Sequence, residues 1–163
     1  RMNMGHKRWC TLSCLSALLV SGCEQPQVGE MKFPDGTFQH VVRNDDIAWK
    51  PCPPNLPAGC EIVVLEGNPQ AGDLFTVRFR LGEDFAMPPH THPKEERVTV
   101  LKGKMSVAFG LGAVRENALT FGPGDYYMNA RDAIHTVWAN ASSEIQITGI
   151  GPWEAHFVEE NGK

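Results

Sequence analysis

Two histidines one residue apart, His90 and His92, stand just ahead of Glu96, and His135 follows far downstream. Imidazole nitrogen and carboxylate oxygen together suit a borderline divalent cation. Imidazole favours Fe, Ni, Cu or Zn, and a carboxylate extends the range to Mn. Three neutral imidazoles and one carboxylate leave a formal +1 on such an ion. If the ion is six-coordinate, two positions stay open for water, oxygen or a substrate, which permits Lewis-acid and redox chemistry. The expected cofactor is therefore one divalent metal ion held by His90, His92, Glu96 and His135. Fe or Mn is favoured, and Ni, Zn, Cu and Co are compatible.

Bringing these groups together requires strands. Side chains two apart on a strand point the same way, so His90 and His92 project to one face. Glu96 leads the next strand and shares parity with Val98 and Val100, whereas Arg97, Thr99 and Leu101 take the other side. His135 shares its parity with Val137. Prolines 88, 89 and 93 stiffen the segment that carries the histidine pair. Glu95 lies off parity and reads as solvated, and His40 and His156 read as structural or surface residues.

The remaining sequence supplies such strands. Segment 74–81 alternates, with Phe75, Val77, Phe79 and Leu81 on one face and Thr76, Arg78 and Arg80 on the other, which is the period of a half-buried strand. Segments 97–101 and 105–109 flank the turn Lys102-Gly103-Lys104 and read as a hairpin. Further runs at 61–65, 118–121, 126–129, 134–138 and 144–150 are separated by turn signals such as Gly122-Pro123-Gly124-Asp125. No segment from about residue 38 onward has sustained helical periodicity. The expectation is an all-β domain of about eight to ten strands, a sandwich or barrel. Phe75, Val77, Phe79, Val98, Val100 and Val137 would line an apolar pocket, the usual character of small-ligand sites. Tyr126, Tyr127, Met128 and Trp138 would narrow its mouth or pack in the core.

Composition sets the outer bounds. With 163 residues, 42% apolar and 21% charged, the chain is ordinary globular material and one domain is the default. Sixteen Gly and twelve Pro suit many turns and short strands rather than a helical bundle. A formal charge of −4 and no basic stripe exclude nucleic acid as the expected partner.

The first residues have the layout of an export signal. Lys7 and Arg8 precede an apolar run at 9–20, too short to span a bilayer as a helix, and then Val20-Ser21-Gly22-Cys23. That tetrad resembles the lipobox of bacterial lipoproteins. The resemblance implies a signal peptide at 1–22, lipidation of Cys23, and a periplasmic protein anchored to a membrane. Removing the leader takes away Arg1, Lys7 and Arg8 and no acidic residue, so the charge becomes −7. The lipid rather than electrostatics would then hold the protein at an anionic surface. Residues 23–37 read as a tether and 38–163 as the domain. Cys52 and Cys60 are the even pair left in the exported chain, and an oxidising compartment favours their disulfide. Closing so short a loop stabilises by about 2.5 kcal/mol in the chain-entropy view.

The stretch from His90 to Gly103 resembles the first motif of the cupin superfamily: His-x-His, three residues, Glu, six residues, Gly. His90, His92, Glu96 and Gly103 fill it. The second motif is met by Gly124 and His135, with Ala130 at the family's Pro, Asp132 at its Gly and Asn140 one residue late. Gly149-Ile150-Gly151-Pro152-Trp153 is similar to small single-domain cupins. The resemblance implies a cupin-type double-stranded β-helix, that is a jelly-roll barrel, with one metal ion and often a homodimer. Cupins include dioxygenases, isomerases, epimerases and metal-containing sensors.

Three functional readings follow. The favoured one is a mononuclear metal-dependent oxygenase-type enzyme acting on a small organic molecule, with Glu96 also accepting a proton. The alternatives are a metal- or ligand-binding sensor without turnover and a redox-inert Zn, Ni or Mn isomerase or lyase.

Overall fold

The computed structural model describes residue 33 and residues 35–158. The expected signal peptide, the lipidation site Cys23 and most of the tether lie outside the described residues. Eleven strands and two short 3-10 turns make up the rest. The strands are β1 (Lys50–Pro51), β2 (Cys60–Glu66), β3 (Leu74–Leu81), β4 (Ala86–Thr91), β5 (Glu96–Lys102) and β6 (Met105–Phe109). After them come β7 (Leu119–Phe121), β8 (Tyr126–Asn129), β9 (His135–Ala139), β10 (Ser143–Ile150) and β11 (His156–Phe157).

They form two antiparallel sheets. One has six strands in the order β1-β2-β3-β10-β5-β8, and the other five in the order β11-β4-β9-β6-β7. Alternation drives the assembly. Phe75, Val77, Phe79 and Leu81 of β3 are all buried, as are Ile145 and Ile147 of β10 and Val98 and Val100 of β5. The registers set them side by side: Ile147 lies between Val77 and Val98, and Ile145 between Phe79 and Val100. Met105, Val107, Val137 and Ala139 of the second sheet pack into the same core.

The jelly-roll barrel expected from the resemblance is corrected here. The architecture is all-β and cupin-like, but the two sheets stay open and do not close into a barrel. Among the described residues no ladder joins the edge strands β1 and β8 of one sheet to β11 and β7 of the other. The edge strands are short, two residues in β1 and β11 and three in β7, so they offer few backbone groups for closure. Consecutive strands β7 and β8 belong to different sheets, and side chains bridge that seam: the Phe121 and Tyr127 rings lie 4.8 Å apart.

Two local features position the site. Strand β4 contains Pro88 and Pro89, which cannot donate to a ladder. The pairing with β9 shifts there: Met87 faces Val137 and His90 faces His135, so the two prolines form a bulge opposite Thr136. The β5–β6 turn needs Gly103, whose φ is +81° and where a Cβ would strike the Ser143 hydroxyl and the Ser142 carbonyl. Cys52 and Cys60 are joined by a disulfide with Cα atoms 5.6 Å apart, closing a small loop where β2 begins, with Cys60 paired to Leu81.

Candidate metal centre

The four candidate ligands meet at one end of the paired sheets. His90 lies near the end of β4, and His92 follows just beyond it. Glu96 opens β5 and His135 opens β9. All four are buried, with exposures of 3% or less. The bulge of β4 brings His90 into register with His135, and their rings lie 4.0 Å apart. One ligand nitrogen from each of His90, His92 and His135 falls within 4.8 Å of the other two. Metal–nitrogen bonds of about 2.1 Å set neighbouring ligand nitrogens about 3–3.4 Å apart, so the three rings must draw inward to enclose an ion. Glu96 faces the trio from the other sheet. Its Oε1 lies 3.4 Å from His92 Nε2 and its Oε2 lies 3.5 Å from His135 Nε2.

The hydrogen bonds fix which nitrogen is free. Nδ1 of His90 donates to the Pro88 carbonyl at 2.7 Å, Nδ1 of His92 to the Glu154 carbonyl at 2.7 Å, and Nδ1 of His135 to the Ala133 carbonyl at 3.1 Å. A carbonyl only accepts, so each Nδ1 carries the proton and each neutral ring keeps a bare lone pair on Nε2. The Nε2 of His92 is buried and has no hydrogen-bond partner. Lone pairs on two imidazoles thus confront a carboxylate at 3.4–3.5 Å, a repulsive arrangement unless a cation or proton lies between them. This donor set fits a divalent ion, and orienting carbonyls behind ligating histidines are typical of such centres.

Electrostatics agree. Burial, with the neighbouring His135 and His92, lowers His90 to about 3, and burial lowers His92 as well, so both rings are neutral near pH 7. Burial pushes Glu96 up; attraction to charged His92 and His135 and the Asn129 hydrogen bond act the other way and bring the carboxyl down to about 2, so with neutral rings the carboxylate calls for a cation among them. Asn129 Nδ2 donates to Glu96 Oε2 at 2.9 Å, and the Trp153 indole N–H donates to Oε1 at 3.0 Å.

Beside the ligands lies a cavity of about 50 Å³. Of the residues expected to line a pocket, Phe79, Val98 and Val137 do so, together with His90, Glu96 and His135. Phe75, Val77 and Val100 are buried in the core and do not line it. Tyr127 lines it, whereas Tyr126 and Met128 are exposed on the outer side of β8. Trp138 lies away from the cavity, with the Arg115 guanidinium over its ring at 5.9 Å. Glu95 is exposed, and His156 pairs with the exposed Glu154 at 3.0 Å.

Sequence reasoning assigned no role at the site to Asn129, Trp153 or the Glu154 carbonyl. Asn129 was reachable, because it shares the inward parity of Tyr127 on β8. Trp153 lies outside any strand, so no periodicity places it, and a backbone carbonyl leaves no side-chain signal.

The family profile described as the ChrR cupin-like domain matches residues 37–154. The chain belongs to this family. No curated protein matches this cupin in sequence. Among solved structures it is similar to the polyketide cyclase RemF from Streptomyces resistomycificus, with 17% identity and a TM-score of 0.62, covering 75% of this chain and 87% of that one. It is similar to an acetylacetone dioxygenase from Acinetobacter johnsonii, with 22% identity and a TM-score of 0.60, covering 82% and 87%. KdgF from Halomonas sp. shares 20% identity and a TM-score of 0.52, covering 67% and 93%. These likenesses establish the cupin fold. The centre itself is a buried three-histidine cluster able to coordinate a metal ion.

Proposed function

We propose that this cupin is a mononuclear metal enzyme of the oxygenase type, acting on a small organic molecule from an exported, lipid-anchored position. The observation that carries the metal assignment is the convergence of three Nε2 lone pairs and the Glu96 carboxylate, each imidazole turned inward by its own backbone carbonyl. His90, His92, His135 and Glu96 would hold the ion, with Fe or Mn favoured. When bound, it supplies Lewis acidity and redox capacity.

The chain's own residues do the rest. Phe79, Val98 and Val137 give the cavity apolar walls that exclude bulk water from one side of the ligands. A carboxylate has about four acceptor positions, and Asn129 and Trp153 occupy two on Glu96. That leaves Glu96 free to ligate and to accept a proton from an acidic substrate such as an enol or phenol. The cupin fold carries an acetylacetone dioxygenase and a polyketide cyclase elsewhere, which is consistent with oxygenated small molecules as substrates.

One observation favours a second reading. The cavity, at about 50 Å³, holds a few waters but is well below the size of a typical drug-sized ligand site. A module that holds only the metal ion and never turns over a substrate needs no more room than that. Oxygen uptake separates the two. The metal-loaded protein is supplied with diketones and phenols, and Glu96→Gln serves as the control. Metal-dependent uptake lost in the variant supports the enzyme. Full metal loading with neither oxygen uptake nor product supports the module.

A further inference from the structure

The segment that follows β10 runs across the end of the sheets where the histidines lie. It is fastened at both ends. Gly151 N–H donates to the Asp73 carbonyl at 3.0 Å and Trp153 N–H to the Pro69 carbonyl at 2.7 Å. Strand β11 then pairs with β4, His156 opposite Thr91 and Phe157 opposite His90. The entry is tight: a Cβ on Gly151 would collide with the carbonyls of Ala71 and Pro69.

Between these fastenings the segment touches two candidate ligands. The Trp153 indole N–H reaches Glu96 Oε1 at 3.0 Å. The Glu154 carbonyl accepts from His92 Nδ1 at 2.7 Å. The indole also stacks on the His92 imidazole, with centroids 5.2 Å apart and planes 20° apart, and rests on Phe79 at 5.7 Å. One short segment therefore controls the rotation of both the His92 ring and the Glu96 carboxylate. Neither histidine motif contains it.

We propose that residues 151–157 form a strap that positions the metal centre, with Trp153 as its positioning residue. The inference rests on the reading that His90, His92, His135 and Glu96 hold a cation. Without the indole donor, Glu96 loses one of the two hydrogen bonds that aim it at the trio. Partners behind the ligands commonly contribute 10- to 100-fold in metal affinity.

The test uses Co(II) as the probe on the exported chain without its leader. Trp153→Phe keeps an aromatic ring over His92 but removes the N–H. The expected result is Co(II) binding about tenfold weaker in competition with a chelator, together with an altered visible absorption band. The melting temperature of the metal-free variant should stay within a few degrees of the parent. Unchanged affinity and an unchanged band overturn the proposal, and they do so even if the variant melts lower, because the role would then be structural only. No Co(II) binding by the parent protein overturns the metal reading itself, and the strap with it. Should the variant fail to fold, the indole N–H resonance of the parent decides. A shift saturating at one equivalent of Zn(II) supports the strap, and a Trp153 signal indifferent to Zn(II) overturns it.

Discussion

Both oxygens of Glu96 accept from neutral donors, Asn129 Nδ2 and Trp153 Nε1. A Gln at this position cannot satisfy both, because one of its two terminal atoms is itself a donor. Glu96→Gln should therefore cost about 1–3 kcal/mol for an unsatisfied buried group, and metal loading should drop with the lost charge. Thermal melts of metal-free protein and elemental analysis of loaded protein check the two effects separately. Asp132 is a second informative position. It holds φ +59°, the left-handed region, at the place where the cupin motif carries Gly. Its N–H donates to the His92 carbonyl at 2.9 Å, so this turn supports the histidine segment. Asp132→Gly should be close to neutral, whereas Asp132→Val should destabilise by about 1–2 kcal/mol, read as a shift in the denaturation midpoint. These departures from the motif were visible in the sequence. That Asp adopts the left-handed conformation in place of Gly was not, since it depends on the local turn.

At the level of strands, alternation was the readable signal. Segment 74–81 forms β3 with its apolar parity buried, and Glu96, Val98 and Val100 of β5 all point inward. Strand β4 was harder to read, because Pro88 and Pro89 suggest a stiff loop rather than a strand. The bulge reconciles them with pairing to β9. The strap was illegible for a different reason: its contacts link residues more than fifty apart through single hydrogen bonds. Strand pairing also receives charge support. Glu144 of β10 accepts from Arg80 of β3 at 3.0 Å and Lys102 of β5 at 3.1 Å, tying three neighbouring strands. Burial opposes ionisation of Glu144, but these two cations outweigh it and its pKa is lowered. A lowered folded-state value means the contribution is full above the unfolded pKa near 4.5 and is lost as pH falls through the folded value. Glu144→Gln should thus reduce the melting temperature at pH 7 by a small amount and leave it equal to the parent in strong acid. A constant difference at all pH values would refute the linkage.

On the scale of the molecule, two open sheets enclose a core that runs from the histidine end to the disulfide loop. Fold class was readable from turns and period two. The open seams were not, because closure depends on whether short edge strands meet, and no local pattern encodes that. At the far end, Leu56 inside the Cys52–Cys60 loop lines the same cavity as His90. Replacing both cysteines with Ser should lower stability by about 2.5 kcal/mol, roughly 10 °C in melting temperature. Metal content should be unchanged, since Cys60 pairs with Leu81 at one end of its sheet and Glu96 with Gly149 near the other.

Three imidazoles, two at or just beyond the end of β4 and one from β9, and a carboxylate from β5 stand poised to close around one cation. Elemental analysis of the protein, purified without chelators or a nickel column, tests this, alongside His90→Ala and His135→Ala. The parent chain should carry close to one transition-metal ion, and either variant little or none. A parent protein without metal, or variants that load as well as the parent, would contradict it.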